Sequence, residues 1–181
     1  MKNLIIGGSS NLGDHIINSN SRNYDFTYFK NKKKNGIFFN LLDYKKNLIN
    51  YKNYKTIILL SAISNPYICH ENKEYSNKVN VEATIELIKY ISDQNVKLIF
   101  FSSEFIYDGK KGNYNEFDDP NPLNLYGDQK LQVENFIKKN VEKFSILRVA
   151  KTYTSKLNDS SFLSFIYSEI LEKKKKEISI I

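Results

Sequence analysis

Met1-Lys-Asn-Leu-Ile-Ile-Gly7-Gly8-Ser9-Ser10-Asn11-Leu12-Gly13 opens the chain and decides its fold. Residues 2–6 are a short apolar run with the look of a strand. Glycines follow at once, and residues 14–18 carry on with helical character. A strand that turns sharply into a helix needs residues with little or no side chain at the turn. The same turn lets the backbone approach a pyrophosphate, whose charge the helix N-terminus favours. Gly7, Ser9, Ser10, Asn11, Leu12 and Gly13 are therefore candidate cofactor-binding residues. Ser10 stands where such loops often place a glycine.

Beyond this opening, apolar runs and helical periods alternate. Strands are expected at 26–29, 37–41, 56–62, 97–101, 144–149 and 177–181. Helices are expected at 74–93, 125–140 and 162–174. In the first of these Val81, Thr84, Ile88 and Ile91 recur at helical spacing. Alternation of this kind predicts an α/β fold: a doubly wound parallel sheet of the Rossmann type, covered on both faces, in a single domain over 1–181.

The chain has 181 residues, 41% of them hydrophobic, enough to bury a sizeable core. No apolar run is long enough to span a membrane. The N-terminus does not read as a signal peptide. Cys69 is alone, so neither a disulfide framework nor a cysteine-based zinc site is expected, and a cytoplasmic setting follows. His15 and His70 lack neighbours at ligand spacing, so no metal is expected. The net charge of +7 comes almost wholly from lysine, with Arg22 and Arg148 the two arginines. It reads as compositional bias, and no nucleic-acid partner is expected.

In open sheets of this kind, ligands sit at the carboxyl ends of the strands. Several candidates fall there. The segment after the second strand, Lys30-Asn-Lys32-Lys-Lys34, has no acid to hold a ribose 2′-hydroxyl. Lys30 and Lys32 to Lys34 could instead meet a 2′-phosphate, favouring NADP with NAD as the alternative. Asn40 and Leu41 end the third strand, on the side of the adenine. Ser61, Ala62 and Ile63 follow the fourth, with Ser64 beyond them towards a substrate. Asn80 lies in the next helix as an anchor near the cofactor. Ser102, Ser103 and Glu104 close the fifth strand, Ser102 on the cofactor side and Ser103 and Glu104 on the substrate side.

Tyr126 and Lys130 are spaced to share one face of the helix at 125–140. A nearby ammonium favours the phenolate and lowers the phenol pKa, so such a pair can move a proton to or from a sugar oxygen. Tyr28/Lys32, Tyr51/Lys55 and Tyr107/Lys111 have the same spacing. Tyr126 alone opens a predicted helix behind a Pro-Asn-Pro turn, downstream of a strand ending in Ser102-Ser103.

Phe101-Ser-Ser-Glu-Phe-Ile-Tyr-Asp-Gly109 resembles the Ser-Thr-Asp-Tyr-Val-Phe-Asp-Gly stretch of the dTDP-4-dehydrorhamnose reductase family, within the extended short-chain dehydrogenase/reductase superfamily. Tyr114 to Glu134 resembles its Tyr-x-Glu-x-Asp … Pro-x-Asn-x-Tyr-Gly-x-Ser-Lys-x-x-Gly-Glu block, and Val79-Asn80 its Val-Asn. The resemblance implies Ser103 as the triad hydroxyl, Tyr126 as the catalytic acid, and Lys130 as the residue that binds the nicotinamide ribose and tunes the tyrosine. It implies an NADPH-dependent reductase of a nucleotide-linked 4-keto sugar, in dTDP-rhamnose and polysaccharide biosynthesis. The alternatives are an epimerase or dehydratase relative, or a non-catalytic cofactor-binding module or subunit.

Three departures stand out. Ser103 replaces Thr, Glu104 replaces Asp, and Thr154 follows Tyr153 where relatives often have Gly. Family members also continue into a C-terminal substrate region of which little is expected here. Cofactor binding with poor turnover is therefore expected, together with self-association or a completing partner subunit.

Overall fold

The computed structural model describes residues 1–46, 49–150, 152 and 169. Within them, six parallel strands form one sheet in the order β3-β2-β1-β4-β5-β6. The strands are β1 (Lys2–Ile6), β2 (Tyr24–Tyr28), β3 (Ile37–Phe38), β4 (Tyr54–Leu59), β5 (Lys97–Ser103) and β6 (Phe144–Val149). This is the doubly wound Rossmann arrangement, with its reversal of strand order between β1 and β4. The chain divides after Val149 into two compact units, Met1–Val149 and Ala150–Ile181. The first carries all six strands of the described residues. The helix expected at 162–174 and the strand expected at 177–181 lie outside the described residues, as do Tyr153 and Thr154.

The helices are α1 (Asn11–Ser19), α2 (Pro66–Glu71), α3 (Lys73–Asn77), α4 (Thr84–Ser92) and α5 (Leu125–Asn140). Strands β2 and β4 begin two residues before the expected 26 and 56 and end earlier than expected, at Tyr28 and Leu59. Three further differences have a visible cause. Helix α1 begins at Asn11, inside the glycine loop, because the Ser10 hydroxyl takes the N–H of Gly13 and starts the helix early. Strand β3 stops at Phe38. Asn40 turns the chain instead, its Oδ1 accepting the Leu42 N–H at 3.1 Å, so Asn40 and Leu41 do not end a strand. Helix α2 was not expected. Asn65 caps it by accepting from the N–H groups of Tyr67 and Ile68, and Pro66 occupies its first turn, where no N–H is needed.

The helix expected at 74–93 is one run with a widened π-helical turn, Lys78–Ala83, between α3 and α4. Val81, Thr84, Ile88 and Ile91 are all buried. The main core lies where Leu4, Ile6, Ile57, Leu59, Leu98 and Phe100 of the sheet meet Leu87, Ile88 and Ile91 of α4 and Val133 and Ile137 of α5. A second cluster, Ile5, Ile17 and Ile58, joins α1 to the same strands. Side chains alternate across the sheet, so neighbouring residues of one strand serve both clusters.

Candidate functional site

Gly7 leaves β1 with φ +94°, a backbone shape L side chains rarely adopt. A Cβ there would stand 2.8 Å from the Ser61 nitrogen. The exits of β1 and β4 therefore touch, and the N–H groups of Leu60 and Ser61 both bond the Ile6 carbonyl. At Gly13 a Cβ would lie 2.7 Å from the Gly8 Cα, so α1 starts hard against the loop. The first-turn N–H groups of a helix lack intrahelical partners, and Ser10 takes that of Gly13. A narrow loop, a small-residue floor and a helix start at the switch point fit a dinucleotide pyrophosphate.

The lysines behind β2 separate. Lys30, Lys32 and Lys34 are exposed. Lys33 folds back onto the loop, its Nζ donating to the Gly8 carbonyl at 3.4 Å and pairing with the Asp14 carboxylate. Leu41 is part of the main core, and Asn40 is half-buried. Ser61, Ala62 and Ile63 line the exit of β4, while Ser64 is exposed.

Helix α5 is placed by two contacts at its start. Asn124 accepts the Gly127 N–H at 2.9 Å, and Gly127 sits so close to the turn after β5 that a Cβ would lie 2.0 Å from the Phe105 carbonyl oxygen. Tyr126 and Lys130 are thereby pushed into the fold, and both are buried. The Tyr126 ring meets Phe105 edge-on. Lys130 Nζ donates to the Phe101 carbonyl at 2.8 Å and stands 4.6 Å from the Phe100 ring centroid and 5.8 Å from that of Tyr126.

The electrostatics run opposite to the sequence expectation. Burial, with the Cys69 thiol and the Glu104 carboxylate adding to it, pushes the Tyr126 phenol up to about 12. Burial draws Lys130 down to about 8, against the pull of Glu134 and Cys69. The lysine spends its hydrogen bond on the backbone and lies over the rings, so it does not lower the phenol pKa. Ser103 is buried at the end of β5; its hydroxyl donates to Glu104 Oε2 at 2.8 Å and accepts the Phe105 N–H. Ser102 is also buried, and its hydroxyl faces the Glu134 carboxylate, which it helps to hold low. Among the described residues no cluster of His, Cys, Asp and Glu could hold a metal ion. No helix among them is long and apolar enough to cross a membrane.

The RmlD substrate binding domain model matches residues 1–181. The chain belongs to that family. This places it among the dTDP-4-dehydrorhamnose reductase-like members of the extended short-chain dehydrogenase/reductase superfamily. It is 36% identical to methionine adenosyltransferase 2 subunit beta of Xenopus tropicalis over 128 residues, which are 68% of this chain and 38% of that protein. Among solved structures it is similar to a hypothetical dTDP-4-dehydrorhamnose reductase from Sulfolobus tokodaii, with 28% identity and a TM-score of 0.82. That match covers 93% of this chain and 61% of the other. The fold also matches dTDP-4-dehydrorhamnose reductase from Bacillus anthracis in complex with NADP, with 22% identity and a TM-score of 0.78, over 99% of this chain and 63% of the other. The chain thus spans only part of the length of each relative.

Of the four lysines expected to meet a 2′-phosphate, Lys33 reaches the glycine loop. Two features escaped the sequence reading. Glu134 of α5 is buried in an ion pair with Arg148 of β6, at 2.8 Å. Gln129 of α5 is buried against Asn80, Nδ2 to Oε1 at 2.8 Å. Only charge or polarity marked these positions in the sequence, and both usually signal surface.

Proposed function

We propose that this chain binds NADPH and serves as the cofactor half of a reductase acting on a nucleotide-linked 4-keto sugar. The observation that carries it is Tyr126 and Lys130, buried on α5 at the carboxyl edge of the sheet, with Ser103 ending β5 on that edge. Likeness to reductases of dTDP-4-dehydrorhamnose supports the substrate class. The cofactor, when bound, supplies a hydride to the keto carbon. Tyr126 donates its phenolic proton to the oxygen. A phenol held at about 12 stays protonated across the neutral range, as an acid must. Lys130 offers its ammonium to the nicotinamide ribose. Ser103, on turning its hydroxyl from Glu104, donates to the keto oxygen, and Glu104 accepts from a hydroxyl of the sugar. Gly7, Ser9, Ser10, Asn11, Leu12 and Gly13 receive the pyrophosphate, and Lys33 the 2′-phosphate.

The test is NADPH oxidation with dTDP-4-dehydrorhamnose, alongside calorimetric titration of the cofactor. Tyr126→Phe should abolish turnover and leave the NADPH Kd within about twofold, since the ring still packs against Phe105. A fully active Tyr126→Phe would end the proton-transfer assignment. The likeness to methionine adenosyltransferase 2 subunit beta supports a second reading, a cofactor-binding subunit completed by a partner chain. NADPH binding with no oxidation of any nucleotide keto sugar would favour it.

A further inference from the structure

Behind the catalytic pair lies a chain of buried polar side chains that the proposed reaction does not use. It starts at Ile63, just past β4. Asn80, in the widened helical turn, holds both sides of this residue: its Oδ1 accepts the Ile63 N–H at 2.8 Å and its Nδ2 donates to the Ile63 carbonyl at 3.0 Å. The same Nδ2 donates to Gln129 Oε1 at 2.8 Å. Gln129 Nε2 donates to the Ser76 hydroxyl at 2.9 Å, and that hydroxyl donates to the Cys69 carbonyl at 3.0 Å. The Cys69 thiol closes the circuit on the Ile63 carbonyl at 3.2 Å. Asn80, Gln129, Ser76 and Cys69 are all buried.

The direction of every bond is consistent. A carboxamide presents an acceptor and a donor on one rigid plane, and Gln129 uses both at once, in two directions. No hydroxyl on the same backbone could span Asn80 and Ser76. The resembled reductase block has Ser at this position, so the long amide is this chain's own departure. Gln129 directly precedes Lys130 and lies one helical turn from Tyr126. We infer that Gln129 is a positioning residue, which fixes the helix bearing Tyr126 and Lys130 against the Ile63 peptide at the exit of β4.

The inference rests on the cofactor reading above for its consequence, because Lys130 and the Ile63 segment would flank the same cofactor. It rests on geometry alone for the link itself. Cutting the link exchanges the amide acceptor of Asn80 Nδ2 for the weaker Cys69 sulfur at 3.6 Å and removes the N–H that the Ser76 hydroxyl accepts. The Ile63 peptide keeps its bonds to Asn80, but Asn80 loses its tie to α5, so the peptide loosens and Lys130 loses its register relative to it.

The test uses the full chain with Gln129→Ser and, separately, Ser76→Ala, which removes the far anchor with little change in volume. Amide hydrogen exchange reads the link without any cofactor. Exchange at Ile63 should quicken by about tenfold or more in Gln129→Ser, and by a smaller factor in Ser76→Ala, while Leu4 to Ile6 of β1 keep their protection. Calorimetry should show the NADPH Kd raised about tenfold in Gln129→Ser, with a thermal transition still cooperative. Unchanged exchange at Ile63 overturns the inference. So does faster exchange with an unchanged NADPH Kd, which is the mark of a merely structural contact. If Gln129→Ser does not fold, Ser76→Ala decides by the same two readings. A wild type that binds no NADPH overturns the cofactor reading instead, and the exchange at Ile63 still decides the link.

Discussion

Burial and the Glu134 carboxylate pull the Lys130 ammonium in opposite directions, and burial prevails, drawing the group from 10.5 to about 8. Below pH 8 both folded and unfolded chains hold the proton, and the folded chain bears the full cost of a buried charge. Between about 8 and 10.5 the unfolded chain holds a proton that the folded chain lacks, so stability rises with pH. Lys130→Met should therefore stabilise the free protein at pH 7 by on the order of 1–3 kcal/mol, less what the lost hydrogen bond and ring contacts were worth. The gain should shrink as pH climbs past 8, and urea unfolding at several pH values reads it. The same substitution should weaken NADPH binding, because the ribose loses its cation. A Lys130→Met protein less stable at pH 7 than at pH 10, relative to wild type, would contradict the assignment.

Lys33 makes the second case at this scale. Its neighbours Lys30, Lys32 and Lys34 are exposed, whereas Lys33 bonds the Gly8 carbonyl and pairs with Asp14 on the first turn of α1. A 2′-phosphate would compete with Asp14 for that ammonium. Lys33→Ala should raise the NADPH Kd about tenfold with little change for NADH, and Asp14→Asn should lower the NADPH Kd. Lys30→Ala and Lys32→Ala should shift either by less than about twofold. Calorimetry with both cofactors checks all four. Nothing in a run of four lysines could have selected Lys33. The choice is made by where the loop folds, which is a tertiary fact.

Helix α5 and strand β6 are locked together by Glu134 and Arg148, the carboxylate wholly buried and the guanidinium partly exposed. Arg148 also donates to the Tyr107 hydroxyl and the Glu116 carbonyl, so one side chain ties the loop after β5 to both elements. Burial pushes the Glu134 carboxyl up, but hydrogen bonds from Arg148 and Ser102 and the charges of Arg148 and Lys138 outweigh it, and the net direction is down. The pair's stabilisation is present above the unfolded carboxylate value of 4.5 and is lost as pH falls through the lower folded value. Arg148→Met should cost up to about 3–5 kcal/mol, since it leaves the buried carboxylate only Lys138, at 3.3 Å, as a charged partner, while Glu134→Leu with Arg148→Met should recover most of that. Denaturant titrations of the three proteins test it, and the double variant should lose less stability in acid. Both α5 and β6 were legible to the residue, because a capped amphipathic helix and a β-rich run each announce themselves. The lock between them was not, because Glu and Arg on a helix and a strand read as solvated. The π-helical turn was illegible for a related reason: it serves Asn80's reach to Ile63, and no local propensity encodes it.

Across the whole molecule, alternation of strand and helix predicted a parallel sheet, and the glycine loop predicted which edge binds. The reversal of strand order beside β1 then brings Gly7, Ser61 and Ser103 to one side. The net charge of +7 adds a field that acts on any polyanionic ligand from every direction. That field and the Lys33 contact differ in range, and salt separates them. The screening length is about 10 Å at 0.1 M and about 3 Å at 1 M, so added salt erases the dispersed lysines before it erases a contact pair. NADPH carries one phosphate more than NADH and feels both contributions more strongly. Raising potassium chloride from about 0.05 M to about 0.5 M should therefore narrow the affinity ratio of NADPH over NADH without bringing it to unity. In Lys33→Ala the ratio should start lower and fall to about one at the higher salt. A wild-type ratio indifferent to salt would show that the global charge plays no part. A Lys33→Ala protein that keeps the wild-type ratio at high salt would show that the 2′-phosphate meets some other group.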